Sequence, residues 1–275
     1  MKKILYVALA LSASLPIAQS CRDNDLDSTL AQDKEIGKAI NNPEDLRVIL
    51  NSAYNRMSDY RYYGRDYIIY GEVRSDNAYS NANSNRFVTV GQMSMVNTDS
   101  YASDAWTQMY AVIASANIVI NADQSKMSGD TALINQYVGE ALVVRALAHF
   151  DLLKLFGQQH VGSGGMSALG IPYIKTFGDK ANFLPARNTV QEVYDMAMGD
   201  LDEALKLMTP ALDAKTPHNL TVNAANAIKA RLALYFGKND VAAASALKVI
   251  NSGKYTIATT ATFASTFNTD RSEEH

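Results

Sequence analysis

Gly139-Glu140-Ala141-Leu142-Val143-Val144-Arg145-Ala146-Leu147-Ala148-His149-Phe150-Asp151-Leu152-Leu153-Lys154-Leu155-Phe156-Gly157 lies near the middle of the 275-residue chain. With the residues before it, this stretch reads as one long amphipathic helix from Ala132 to Phe156. Val138, Ala141, Leu142, Ala148, Leu152, Leu155 and Phe156 recur at three- and four-residue steps, the spacing that gathers side chains on one helical face. Gly157 stops the helix. Arg145 breaks the apolar stripe. A guanidinium withdrawn from water needs carboxylate or carbonyl partners, which predicts a structural bond to a neighbouring helix end. Glu140, five positions away, does not share a helix face with it.

The same period continues on both sides. Upstream, Asp104 to Asp123 repeats it with Trp106, Met109, Tyr110, Ile113, Ala116, Asn117 and Ile120, which places Trp106 on a packed face. The link from Ser125 to Asp130 is short and polar, so the two helices are expected to form an antiparallel hairpin. Downstream, Thr189 to Met208 carries Val193, Met196, Ala197, Leu201, Ala204, Leu205 and Met208, and Pro210 closes it. Asn223 to Phe236 follows, then Gly237, a restart at Asn239-Asp240, and Val241 to Asn251 before Gly253. Small residues at Ala224, Ala227, Ala230 and Ala242 to Ala246 let helix axes approach closely. The pattern predicts an all-α chain of tetratricopeptide-like repeats, an α-α superhelix with irregular loop insertions.

The amino terminus has a different character. Met1-Lys2-Lys3, an apolar run from Ile4 to Ala18 broken by Pro16, and Gln19-Ser20-Cys21 form a leader too short for a bilayer span. Cys21 is the only cysteine in the chain. A lone thiol directly behind an export leader reads as a lipid attachment point, giving a signal peptide over 1–20 and a lipidated acidic tether over 21–40. Cleavage after Ala18 or Ser20 that leaves Cys21 a free thiol is the alternative. One acyl chain anchors a protein only reversibly, so a triacylated terminus is expected. The chain has 25 Lys and Arg against 28 Asp and Glu. Loss of Lys2 and Lys3 leaves a mature net charge of −5, with no electrostatic footprint for nucleic acid.

The stretch Gly139 to Gly157 resembles the signature helix of the SusD/RagB family of outer-membrane nutrient-binding lipoproteins. Trp106 through Asn117 is similar to the family's preceding helix, Gly170-Ile171-Pro172 to the strand-like run after it, and Ala227 to Tyr255 to its later repeat pair. Asp23, Asp25 and Asp27 resemble the acidic export tag that directs such lipoproteins of the Bacteroidetes to the outer leaflet. The resemblance covers nearly all of residues 41–270. It implies a lipid-anchored protein on the cell exterior that captures a glycan or peptide and caps a SusC-type TonB-dependent transporter barrel. Family members are longer, so residues 41–275 read as a SusD-like repeat domain without the carboxy-terminal part, either as a fragment or as a shortened paralogue.

A site for such a ligand is sought among aromatic and amide side chains, because sugars offer apolar CH faces to rings and hydroxyls to amides or carboxylates. Seven of the 15 tyrosines fall between Tyr60 and Tyr101, with Asn77, Asn81, Asn83, Asn85 and Asn97. Tyr62, Tyr63, Tyr67 and Tyr70 are expected to pack beneath the loop. Asp76, Asn77, Tyr79 and Asn81 carry no long apolar stripe and are the candidate ligand contacts, with Tyr101 beside them.

Catalysis finds little in the sequence. His149, His160, His218 and His275 show no metal-ligand spacing, and Gly162-Ser163-Gly164-Gly165 lacks the Lys-Ser/Thr of a phosphate loop. No metal, cofactor or enzymatic activity is expected. A helical-repeat adaptor of the envelope that handles no nutrient remains the alternative reading, and hydrolysis of a glycan a third.

Overall fold

A computed structural model describes residues 40–75, 77–162, 164–178, 184–214 and 218–263. The leader, Cys21, the aspartates of the tether up to Asp27, and Asp76 lie outside these residues. Among the described residues the regular elements are helices: α1 (Pro43–Met57), α2 (Asp66–Glu72), α3 (Val88–Gly91), α4 (Ser100–Ile120), α5 (Thr131–Phe156), α6 (Val190–Leu207), α7 (Val222–Tyr235) and α8 (Asn239–Asn251). None of them is long and apolar enough to cross a membrane. The run after α5 is extended but forms only an isolated antiparallel bridge, Leu169 to Thr189.

Helix starts follow local chemistry. The Asp130 carboxylate accepts from the Ala132 N–H at 2.8 Å and starts α5. Thr189 and Glu192 form a reciprocal capping box that starts α6, and Thr221 caps α7. α4 begins four residues before the expected Asp104, because Asp99 already satisfies the Tyr101 N–H at 3.0 Å. That cap is invisible to a search for apolar spacing.

α5 is the axis of the molecule, and here expectation needs correction. An amphipathic helix was predicted, yet every residue from Val138 to Leu153 is buried. α1, α4, α6 and α7 all pack against it, and a helix enclosed on every side has no solvent face. Trp106 near the start of α4 meets Phe156 at the end of α5 edge-on at 5.1 Å, so the pair is antiparallel. α6 runs antiparallel to α5 as well: Arg145 pairs with Asp200, while Gly139 faces Ala204 and Met208. A Cβ at Gly139 would lie 2.4 Å from the Met208 side chain, so any larger residue would have to displace it. Tyr194 on Phe236 and Lys229 on Asp202 make α6 and α7 antiparallel in turn. The outcome is the alternating helical stack that the period predicted.

The polar residues of α5 are struts to the elements around it. Arg145 makes a bidentate pair with Asp200 at 2.7 Å for both bonds, and donates to the Asn117 side chain at 2.9 Å and the Lys175 carbonyl at 3.2 Å. Its carboxylate partner is thus inside α6 rather than at a helix end. The Tyr173 hydroxyl donates to the same Asp200 at 2.6 Å. His149 bonds the Arg145 carbonyl through Nδ1 and accepts the Ile174 N–H at Nε2, which fixes the neutral tautomer with the proton on Nδ1. Glu140 takes the Tyr54 hydroxyl at 2.6 Å and the Gln136 amide, tying α1 to α5. Burial, with the nearby Asp213 charge adding to it, raises the Glu140 pKa against the hydrogen bonds that lower it.

Candidate functional site

The tyrosine-rich segment divides into two parts. In the first, Tyr62, Tyr63 and Tyr67 each donate to Asp151 at 2.6 Å, and Lys154 pairs with the same carboxylate at 2.8 Å. The three rings pack on one another with centroids 4.4 to 5.5 Å apart. Burial, and then the Asp151 charge, raise the pKa of all three phenols, so they stay protonated as donors. This knot fixes the chain entering α2, and it is the packing role expected for these residues.

α2 carries Arg65, at its amino-terminal boundary, and Ile69, Glu72 and Val73 along one face at helical steps. Tyr70, Val73, Phe87 and Val90 form a small apolar cluster, against which Ile69, Met95, Tyr101 and Leu155 pack. On that footing the chain from 77 to 87 folds back over α2. The Ser80 hydroxyl donates to the Arg86 carbonyl at 2.7 Å, and the Asn81 side chain accepts the Asn83 N–H at 3.1 Å in an Asx turn. Three residues of this stretch that are not glycine hold left-handed backbone, Ala82, Asn85 and Phe87, as does Met93 just beyond α3. For Phe87 this conformation costs about 1–2 kcal/mol. It is offset by a ring stacked on Tyr101 at 4.3 Å and by the Phe87 N–H donated to the Tyr101 hydroxyl at 3.2 Å.

The result is an open cleft of about 510 Å³ between α2 and the loop. Ile69, Val73 and Phe87 give it an apolar floor, and Arg65, Glu72, Ser80, Asn81 and Arg86 supply polar groups. Tyr79 stands at its edge with 86% of its surface exposed. Arg65 bonds Asp66 at 2.7 Å, which raises its pKa and keeps it cationic, and its guanidinium lies over the Phe87 and Tyr60 rings.

Of the sequence candidates, Tyr79 and Asn81 line this cleft together. Asn77 is exposed but outside the lining, its N–H held by the Ser75 hydroxyl at 3.3 Å. Tyr101 is partly buried behind Phe87 and supports the floor. Arg65, Glu72, Ser80 and Arg86 were not singled out beforehand. The signal for the first two was present, since Arg65, Ile69, Glu72 and Val73 share one face once a short helix is recognised there. Among the described residues no cluster of three His, Cys, Asp or Glu side chains could hold a metal ion.

A family model described as "Starch-binding associating with outer membrane" matches residues 23–234. The chain belongs to the SusD-like family. A SusD-like protein from Formosa agariphila is 27% identical over 222 residues, covering 78% of this chain and 39% of that relative. SusD superfamily proteins of known structure from Bacteroides vulgatus and Bacteroides thetaiotaomicron are each 27% identical. They superpose with TM-scores of 0.75 and 0.71, over 83% and 81% of this SusD-like chain and 52% and 49% of their own. The chain therefore spans about half or less of the relatives it matches.

Proposed function

We propose that this SusD-like chain captures nutrient at the cell surface, holding a glycan or peptide in the cleft between α2 and the 77–87 loop. In this reading it is lipid-anchored through Cys21 to the outer membrane, faces the exterior, and delivers ligand to a SusC-type TonB-dependent transporter. It binds and does not catalyse. The observation that carries the proposal is Tyr79: a large ring 86% exposed, next to the Asn81 amide, the Ser80 hydroxyl and two guanidinium groups, over an apolar floor. An aromatic face beside convergent polar groups matches the CH faces and hydroxyls of a sugar. The family's description as starch-binding and outer-membrane associated supports the same class of ligand.

Calorimetry of the mature chain against a broad set of oligosaccharides and peptides tests the capture step. Saturable binding that weakens in Tyr79→Ala supports it; absence of binding across the set rejects it. Affinity purification of palmitate-labelled, Cys21-anchored protein tests anchoring and delivery. Recovery of a large barrel protein is the expected result, and an unlabelled product that brings down no barrel rejects both.

A further inference from the structure

α8 is the last of the described helices in chain order and packs chiefly against α7. Its buried residues, Ala242 and Ser245, lie on one side. The other side is open. At 3.6 residues per turn, Asp240, Ala244 and Lys248 form one row along it, flanked by Val241 and Leu247. All five are exposed, Val241 by 37% and Leu247 by 52%, and Ile250 at 63% extends the apolar surface on the Leu247 side.

α6 shows what a face turned to water looks like in this chain. Its exposed residues, apart from Gly199, are Glu192, Asp195, Asp202, Glu203 and Lys206, all charged. The exposed side of α8 has only two charges, Asp240 and Lys248, with alanines, Val241 and Leu247 between them. The end helix of a repeat stack needs a polar outer face to stand alone, and this one is largely apolar.

The two charges select what covers it. Asp240 stands in the first turn of α8 and Lys248 in the last. The ion pairs at this end of the molecule, Lys229 with Asp202 and Lys254 with Asp213, involve neither. Ala244 lies midway between them. A second α8, turned end for end about Ala244, sets each Asp240 against the partner's Lys248 and brings two small side chains together where the helices cross. Rows of residues four apart packed in this way make the commonest helix contact in globular proteins. Antiparallel helix dipoles favour the same arrangement, and Leu247 of each copy leaves water beside the partner's row. A parallel pair would place like charge on like charge. A membrane surface would meet Asp240 without a partner, and a surface of one sign would satisfy one end of the row and repel the other.

We infer that the outer face of α8 is a self-association surface, on which two copies of this chain meet through antiparallel α8 helices with reciprocal Asp240–Lys248 ion pairs. A 13-residue helix offers a contact about 20 Å long, well short of what a permanent dimer buries, so the dimer dissociates on dilution. No residue of the α2 cleft takes part, and the inference stands apart from the function proposed there.

Sedimentation velocity of the unacylated mature chain tests it, in reducing buffer so that Cys21 forms no disulfide. Between about 10 μM and about 1 mM a reversible monomer–dimer equilibrium is expected. Asp240→Lys and Lys248→Glu each set like charges together at both ends of the row, and each is expected to weaken dimerisation about tenfold. Mixed in equal amounts, the two variants restore opposite charges at both ends, so a heterodimer of parental affinity is expected. Leu247→Ala, which keeps a good helix former at an exposed position, is expected to weaken dimerisation about tenfold as well. Circular dichroism matching that of the parent shows that each variant is folded. A parent that stays monomeric throughout overturns the inference and leaves the face to a different partner. A mixture that associates no better than either variant alone overturns it too, as does a Leu247→Ala variant that dimerises like the parent, because the contact then lies elsewhere.

Discussion

Tyr62 and Tyr79 are the same residue type in the same enriched segment, yet one is fully buried and the other 86% exposed. Tyr62 and its neighbours Tyr63 and Tyr67 point their hydroxyls at a carboxylate borne by the central helix. Tyr79 follows α2 by seven residues, on a loop whose bonds are mostly to itself. The difference is the partner supplied from elsewhere in the fold. Polar groups that meet a strut from α5 are tied into the framework, and those of the 77–87 loop bond chiefly within the loop.

The largest expected effect falls on the strut side. Asp200→Ala leaves Arg145 charged and enclosed without its carboxylate, and is expected to lower unfolding stability in urea by about 3–5 kcal/mol. Arg145→Met with Asp200→Leu removes both charges and is expected to recover much of that loss. If Asp200→Ala were neutral, the division between struts and free groups would not hold.

Asp151→Asn comes next. The amide matches the carboxylate in size but carries no charge and offers one acceptor oxygen where three phenols and an ammonium converge. A loss of about 2–3 kcal/mol is expected, read from the urea midpoint. Near-ultraviolet circular dichroism should weaken with it, because the three stacked rings lose their common anchor.

A pH titration sharpens the comparison without mutation. Burial, as the leading cause, lowers the His149 pKa from 6.5 to about 3. Between those values the unfolded state binds a proton that the folded state refuses. His149 therefore contributes stability that is fully present above its unfolded pKa and is lost as pH falls toward 3. Going from pH 7 to pH 5 is expected to cost about 2 kcal/mol from this residue. Glu140 opposes it, since its raised folded pKa adds stability on acidification. Comparing the parent with His149→Gln isolates the histidine: the difference between the two stabilities should shrink as pH falls.

These struts also mark what could be read in the chain and what could not. The helical stack was legible because apolar spacing repeats and because Gly157, Pro210, Gly237 and Gly253 punctuate it. The enclosure of α5 was signalled only by Arg145, whose break in the apolar stripe called for a partner on another helix; His149 and Asp151 gave no such sign, because Ile174 and Tyr62 reach them from distant parts of the sequence. At the cleft, Tyr79 and Asn81 could be found by composition and by the lack of an apolar stripe. Glu72 ends, and Arg65 immediately precedes, a helix of seven residues, too short for periodicity to declare itself.

The smallest effect on stability is expected at Tyr79, and that is why it separates the two regions best. Tyr79→Ala removes a ring with little buried surface and no bond to α5, so the urea midpoint should move by no more than about 0.5 kcal/mol. Sugar affinity at the α2 cleft should nevertheless fall about tenfold, because an exposed ring earns its place only by what stacks on it. Tyr62→Phe should do the reverse, removing one donor from Asp151 and lowering stability by about 1–2 kcal/mol while sugar affinity at the cleft stays as it was. A Tyr79 variant that destabilised the fold, or a Tyr62 variant that lost only binding, would show that the boundary between framework and cleft has been drawn in the wrong place.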